Sequence, residues 1–420
     1  MNEVPLEQLD LAHYVHDGDT IVWGQACAEP CSLTELLVRQ RAEIGSVRCF
    51  VGIPATRTML AEHADHIRFV SYCASGANRE LAEAGVLDVL PVHYSTLPQL
   101  LSTGSLHADV VMLQLPPADE SGRYSLGLAD DYVSAAIGTA RVVIAEVNDR
   151  LPWICGARTL DTGELDVVVH TSRAPAQLPT RRGNETMRSI AAHAADLIGD
   201  GATLQFGIGA LPEAVLAELT DRRALGIHSG LLNDTAAELM EAGVVTNERK
   251  NIDSGKTVAG VLMGTTKLFR FAERNSAVVV RETGYTHDPA VLAGQDRFTA
   301  INSAVEVDLT GQVNAESVSG RYVGAVGGSA DFLRGAARSR GGVPIVVLPA
   351  TAGANSRIVT RLSGPVSVAR SDAAVIVTEF GVADLRGQPL RARQEHMLAI
   401  AHPEHRRALE AAIEGQGAVA

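Results

Sequence analysis

Lysine is almost missing from this chain. Its 420 residues include three lysines (Lys250, Lys256 and Lys267) against 33 arginines, a bias that reflects genome base composition rather than mechanism. Also missing is any run of about 18 apolar residues, so no segment has the length to span a membrane as a helix. The opening Met1–Glu7 is acidic and no apolar stretch follows it, so it is not read as a signal peptide. Positive charge is in deficit. A net charge of −13 argues against a nucleic-acid partner, which needs a basic surface. The five cysteines (Cys27, Cys31, Cys49, Cys73, Cys155) are odd in number and lie in the first half. Cys27 and Cys31 are close together, but no second Cys/His pair follows to complete a zinc site. Buried free thiols in a reducing compartment, with no metal, are the expectation. Together with a pI near 5.5, this profile fits a cytoplasmic enzyme.

What is present describes a soluble globular protein, 46% hydrophobic and 20% charged. The chain is too long for one ordinary core, so two domains are expected. An internal repeat supports that division. Asp17-Gly18-Asp19-Thr20-Ile21-Val22-Trp23-Gly24 is followed by Ala28-Glu29-Pro30 and a helical pattern. Asp200-Gly201-Ala202-Thr203-Leu204-Gln205-Phe206-Gly207 is followed by Ala210-Leu211-Pro212-Glu213 and another. In each, an Asp-Gly turn starts a strand, a glycine ends it, and proline sits near the next helix's first turn, where its missing N–H costs nothing. The stretch Arg173–Asn184, rich in Pro, Thr and Arg, reads as the linker between an N-terminal α/β domain at 1–175 and a C-terminal α/β domain at 185–420. Val110–Leu113, Val142–Ala145, Ala277–Val280, Ile345–Leu348 and Ala374–Val377 are uninterrupted apolar runs. Such runs predict buried strands in mostly parallel sheets, covered on both faces.

Four stretches could carry chemistry. Gly207-Ile208-Gly209-Ala210-Leu211-Pro212 follows a strand and precedes a helix. A dinucleotide fingerprint would place a third glycine where Pro212 stands. What remains is a loop whose backbone N–H groups hold a phosphate or oxyanion, or a plain tight turn. Asn302–Ser317 begins as a strand with Val305, Val307 and Leu309 on one face. It then turns at Thr310-Gly311 and is expected to present Gln312, Asn314 and Glu316 together. Gly327-Gly328 precedes a helical run, and Arg357 could meet a phosphate or carboxylate. Finally, Leu225-Gly226-Ile227-His228-Ser229-Gly230 reads as a strand ending in small and polar residues before a helix, where α/β enzymes usually keep their chemistry.

Taken in order, these segments resemble the acetyl-CoA hydrolase/transferase family. The likeness rests on Asp200–Gln205, Gly207–Pro212, Leu225–His228, Gly243–Asn247, Ile301–Asn314, Gly327-Gly328 with Asp331-Phe332, Ser356–Val359 and Val377–Ala383. It is strong from about Asp200 to His402. In the first half it is weaker, with Gly122–Gly127 and Val147-Asn148 the best matches. The resemblance implies two CoA-transferase-like α/β domains with an active site between them, coenzyme A as the thiol carrier of an acyl-CoA substrate, and a homodimer or higher homo-oligomer. It further implies an oxyanion and CoA-binding set formed by Gly207, Ile208, Gly209, Ala210, Asn314, Gly327, Gly328 and Arg357. In that family a glutamate attacks the thioester, and the reaction passes through an acyl-glutamyl anhydride and a glutamyl-CoA thioester.

The chain departs from that pattern at the nucleophile. The family's glutamate stands two residues after the histidine of the Leu-Gly-Ile-His segment, and here that position is Gly230. The glutamine usual in the second Gly-Gly motif is replaced by Ser329. Three readings follow. Thioester chemistry continues with water or the substrate itself as nucleophile, by hydrolysis, cleavage of an activated carbon–carbon bond or intramolecular acyl transfer, with His228 or Glu316 as general base and Ser229 nearby. Alternatively, transfer persists through another carboxylate (Glu316, Asp331 or Asp234). In the third, the protein binds acyl-CoA without turnover.

Overall fold

A computed structural model of the chain describes residues 1–180, 183–372 and 375–415; Arg181, Arg182 and Ala374, which fall in the expected linker and last strand, lie outside them. The fold divides into two compact units. The first comprises Met1–Pro179, Gly230–Asp234 and Lys256–Asp288, and the second Thr180–Ser229, Thr235–Gly255 and the chain from Pro289 onward.

The first unit is built on an eight-stranded sheet. Its strands are β1 (Asn2–Glu3), β2 (Thr20–Trp23), β3 (Val47–Phe50), β4 (Ile67–Ser71), β5 (Leu87–Val89), β6 (Val110–Leu115), β7 (Val142–Asn148) and β8 (Val167–Thr171). They run in the order β1-β8-β7-β6-β2-β3-β4-β5, and every pairing is parallel. Every residue of β6 and β7 is buried, which explains why these runs do not alternate: layers cover both faces. Ile21, Trp23, Leu33, Leu37, Cys49, Phe69, Met112 and Ile144 share one core. Four of the five cysteines are buried, Cys155 is half-buried, and all are free.

The second unit carries a six-stranded sheet formed by β9 (Thr203–Phe206), β10 (Gly226–Ile227), β11 (Phe298–Ser303), β12 (Val343–Val347), β13 (Val375–Thr378) and β14 (Gly381–Asp384). The order is β10-β9-β11-β12-β13-β14, parallel except for the antiparallel edge pair β13–β14. The repeat read from the sequence becomes topology here. Gly18 and Gly201 both adopt positive φ (+90° and +74°) to make the Asp-Gly turn, and each turn opens a strand that lies inside its sheet, with later strands added on both sides.

Two expectations are corrected. Val278–Val280 is not a strand of either central sheet; it pairs only with Thr257–Ala259, and its middle residue is half-exposed, so three residues cannot sustain a doubly covered strand. Gln312, Asn314 and Glu316 do not form one wall. The strand holding Asn314 is only Val313–Asn314, and each of the three side chains turns to a different internal partner, as set out below.

Candidate active site

β9 ends in Gly207-Ile208-Gly209, and an eight-residue helix, α1 (Ala210–Ala217), begins immediately after. Two different constraints fix the glycines. A Cβ on Gly207 would lie 3.2 Å from Asn302 Oδ1. Gly209 has open space around it but sits at φ +124°, a conformation L side chains rarely adopt. Beneath the loop, Gln205 and Asn302 exchange amide hydrogen bonds, Gln205 Nε2 to Asn302 Oδ1 at 3.3 Å and Asn302 Nδ2 to Gln205 Oε1 at 3.0 Å. Ile208 is 48% exposed, and no side chain caps the helix at Gly209. The loop and first turn therefore present backbone N–H groups at the positive end of a helix, suited to a carbonyl oxygen that becomes an oxyanion. Gly327 (φ +54°) and Gly328 stand in the same relation to a second uncapped helix, Ser329–Arg338.

β10 runs beside β9 and delivers His228 and Ser229. Both are fully buried. The His228 N–H donates to the Leu204 carbonyl at 3.0 Å, its ring meets Phe298 edge-on with centroids 6.5 Å apart, and Nδ1 lies 3.4 Å from Gln295 Nε2. Ser229 Oγ reaches back to β9, 3.4 Å from the Phe206 carbonyl and 3.5 Å from its N–H. These contacts fasten the end of β10 to the sheet.

A clamp that no sequence motif announces fixes β10 from the other side. The Ile227 N–H donates to Asn247 Oδ1 (2.9 Å), and Lys250 Nζ donates to the Ile227 carbonyl (2.9 Å). Lys250 is buried, and its stem crosses Gly226 so closely that a Cβ there would lie 2.6 Å from Lys250 Cγ. Burial lowers its pKa from 10.5 to about 8, with Asp253 opposing the shift.

Beyond Ser229 the chain enters the first unit. The Gly230 carbonyl accepts from the N–H groups of Gly260 (3.1 Å) and Val261 (3.2 Å), and Leu231-Leu232 pairs in parallel with Val261-Leu262. Asp234 accepts from Thr265 Oγ1 (3.0 Å), Thr265 N (3.0 Å) and Leu268 N (3.1 Å), and so caps the helix Thr266–Ala272.

Of the remaining polar candidates, Glu316, Asn314 and Gln312 are each held by internal partners. Glu316 is buried; Oε1 accepts from Ser367 Oγ at 2.7 Å and Oε2 from the Tyr322 hydroxyl. Asn314 donates to Glu306 Oε1 (3.0 Å) and the Ser317 carbonyl (2.8 Å), while its Oδ1 accepts from the N–H groups of Glu316 (2.9 Å) and Ser317 (3.1 Å). Gln312 Nε2 donates to Asp308 at 2.6 Å, inside the turn at Thr310-Gly311. Asp331 lies in the first turn of Ser329–Arg338. Arg357 is half-buried, and burial lowers its pKa against the opposing charge of Glu379.

The family model for the acetyl-CoA hydrolase/transferase N-terminal domain matches residues 6–178, and that for the C-terminal domain matches residues 264–413. The 4-hydroxybutyrate coenzyme A transferase of Clostridium kluyveri is 34% identical over 407 residues, covering 94% of both chains. An acetyl-CoA hydrolase of Kluyveromyces lactis is 26% identical, over 93% of this chain and 85% of its own. Of solved structures, RipA from Yersinia pestis superposes with a TM-score of 0.93 at 32% identity, covering 99% of this chain and 97% of that one.

Proposed function

Because the chain belongs to the acetyl-CoA hydrolase/transferase family, we propose that it acts on an acyl-CoA thioester without a covalent glutamyl intermediate, water or a group of the substrate being the nucleophile. The observation that carries this reading is Gly230, two residues after His228, where the family pattern places its glutamate. Glycine has no side chain with which to form an anhydride or a glutamyl thioester.

Two carboxylates that could replace the glutamate are already engaged, which supports the same reading. Transfer through Asp234 would uncap a helix, and transfer through Glu316 would strip it of two hydroxyl donors. What the chain keeps is the means to stabilise an oxyanion, at Gly207–Gly209 and the start of α1. In hydrolysis the water oxygen bonds to the thioester carbonyl carbon and the carbon–sulfur bond breaks. The CoA sulfur leaves as the thiol, carrying one proton, and the acyl group leaves as a carboxylate with release of the other. His228, fully buried against Phe298, serves in this scheme to hold the strand end rather than to take a proton from water.

The test is to incubate the protein with acyl-CoA substrates, with and without acetate as acceptor, following free thiol and acyl-CoA exchange by mass spectrometry. Free CoA, or an isomerised acyl-CoA, without acceptor is expected. Exchange that requires acceptor would overturn the proposal, and binding without turnover would show a carrier instead.

A further inference from the structure

The first unit holds a polar groove whose lining includes none of the residues described at the candidate site. β2 is the point at which its sheet order reverses, with β3–β5 to one side and β6–β8 to the other. In open parallel sheets the crevice beyond the carboxyl ends at such a point is where ligands settle. Here a buried polar network ties several strands together. Glu29, on the loop between β2 and the helix Cys31–Ile44, is 3% exposed. Its carboxylate accepts from Thr34 Oγ1 (2.9 Å) and Thr56 Oγ1 (2.7 Å), and its carbonyl from Gln114 Nε2 of β6 (2.6 Å). Asn148 of β7 in turn donates to Gln114 Oε1 at 2.9 Å.

Thr56 also opens onto a groove of about 510 Å³, shared with Thr58, Arg39, Arg57, Arg173 and Glu35. Three arginines around one glutamate form a local positive site on a chain whose net charge is −13. Glu35 shows what such a site accepts. Arg173 holds it with a two-pronged grip at 2.7 and 2.8 Å, and Arg173 first, with Arg39 adding to it, lowers its pKa below the usual carboxylate value. Arg57 spends part of its capacity on Glu80, an exposed pair that contributes little to stability and is easily exchanged.

We propose that this groove is a second ligand site, for a small molecule bearing a carboxylate or phosphate group, which would be received by Arg39 and Arg57 with the Thr56 and Thr58 hydroxyls while Glu35 stands beside it as an internal competitor.

Isothermal titration of the full chain with sodium succinate, sodium acetate and inorganic phosphate, each against sodium chloride at matched ionic strength, tests it. Saturable binding of phosphate or of succinate is expected, and which of the two binds assigns the oxyanion. Arg39→Ala/Arg57→Ala should weaken that binding roughly tenfold or more, as loss of charge-assisted hydrogen bonds at a partly exposed site requires. Glu35→Gln should strengthen it, an effect that a merely structural Glu35 would not produce. Should the double variant melt early, the single Arg39→Ala change on the exposed helix face keeps the test open. The proposal is overturned if no anion saturates below about 20 mM, an affinity weaker than the millimolar range of ordinary metabolite sites, or if the arginine variants bind as the parent does.

Discussion

Lys250 should titrate near pH 8, and the scarcity of lysine makes this directly measurable. Its Nζ donates to the Ile227 carbonyl from a buried position, and desolvation lowers its pKa from 10.5 to about 8. That fall means the folded state holds the Lys250 proton less favourably than the unfolded state by roughly 3 kcal/mol at neutral pH. The sign follows from proton counting: between the two pKa values the unfolded chain binds more protons, so this group's contribution to stability rises with pH. Integrated with the cited values, the gain is about 1 kcal/mol between about pH 7 and about pH 9. With three lysines in the chain, side-chain labelling gives three resonances; one is expected to titrate near pH 8. Lys250→Met removes that resonance. It trades the desolvation cost for an unpaired carbonyl, a cost of about 1–3 kcal/mol, so its net stability at neutral pH should differ little from the parent's. The parent-minus-variant difference in denaturation midpoint should nevertheless grow in the parent's favour as pH rises. Three lysines titrating together above about pH 10, or a difference that is flat in pH, would refute the reasoning.

Other expectations follow from the same geometry. On the proposed reading Gly230→Glu supplies the absent nucleophile, and should yield acceptor-dependent CoA transfer or a covalent glutamyl-CoA adduct detectable by intact mass; CoA binding with neither outcome would remove the positional argument. Glu316→Gln should lower stability by about 1–3 kcal/mol through its Tyr322 and Ser367 contacts while leaving turnover per folded molecule largely intact; abolished turnover at unchanged melting temperature would return Glu316 to the chemistry. Asp131, whose carboxylate accepts from Gln25 Nε2 at 2.8 Å, has its pKa raised by burial from 3.8 to about 7. A raised acid stabilises the fold fully below the unfolded value and loses that contribution as pH climbs through the folded one. Asp131→Asn should therefore flatten the decline in melting temperature between about pH 4 and about pH 7, and an unchanged slope would count against it. Gly209→Ala forces a side chain to φ +124° and should slow turnover at the oxyanion loop more than it weakens CoA binding, a kcat effect rather than a KM effect.

The parallel sheets were legible because their signal is local. Runs such as Val110–Leu113 need both faces covered whatever their neighbours, and the Asp-Gly turns before β2 and β9 announce two similar halves. Gly209 was legible for the same reason, since positive φ selects glycine directly, whereas Gly207 answers to Asn302, 95 positions on. What could not be read depends on partners distant in sequence. Glu316 looks like a site carboxylate until Ser367, 51 positions on, donates to it. Asp234 looks available until Thr265 and Leu268 use it as a cap. Lys250 looks like one more surface cation until Gly226 lets its stem pass underneath. Period and propensity say that such residues are polar; they do not say which buried group will claim them.

Residues 227–230 are held by hydrogen bonds at both ends. On one side the Ile227 peptide is held at both its N–H, by Asn247, and its carbonyl, by Lys250. On the other, the Gly230 carbonyl accepts two backbone N–H groups from Gly260 and Val261. His228 and Ser229, between them, are fully buried. A backbone pinned at both ends is the framework a covalent nucleophile would need, because an attacking carboxylate must be placed to within a fraction of an ångström. On the reading proposed above, this framework is kept while the group it would position is absent, and the held path of residues 227–230 serves to order water or a substrate group against the thioester.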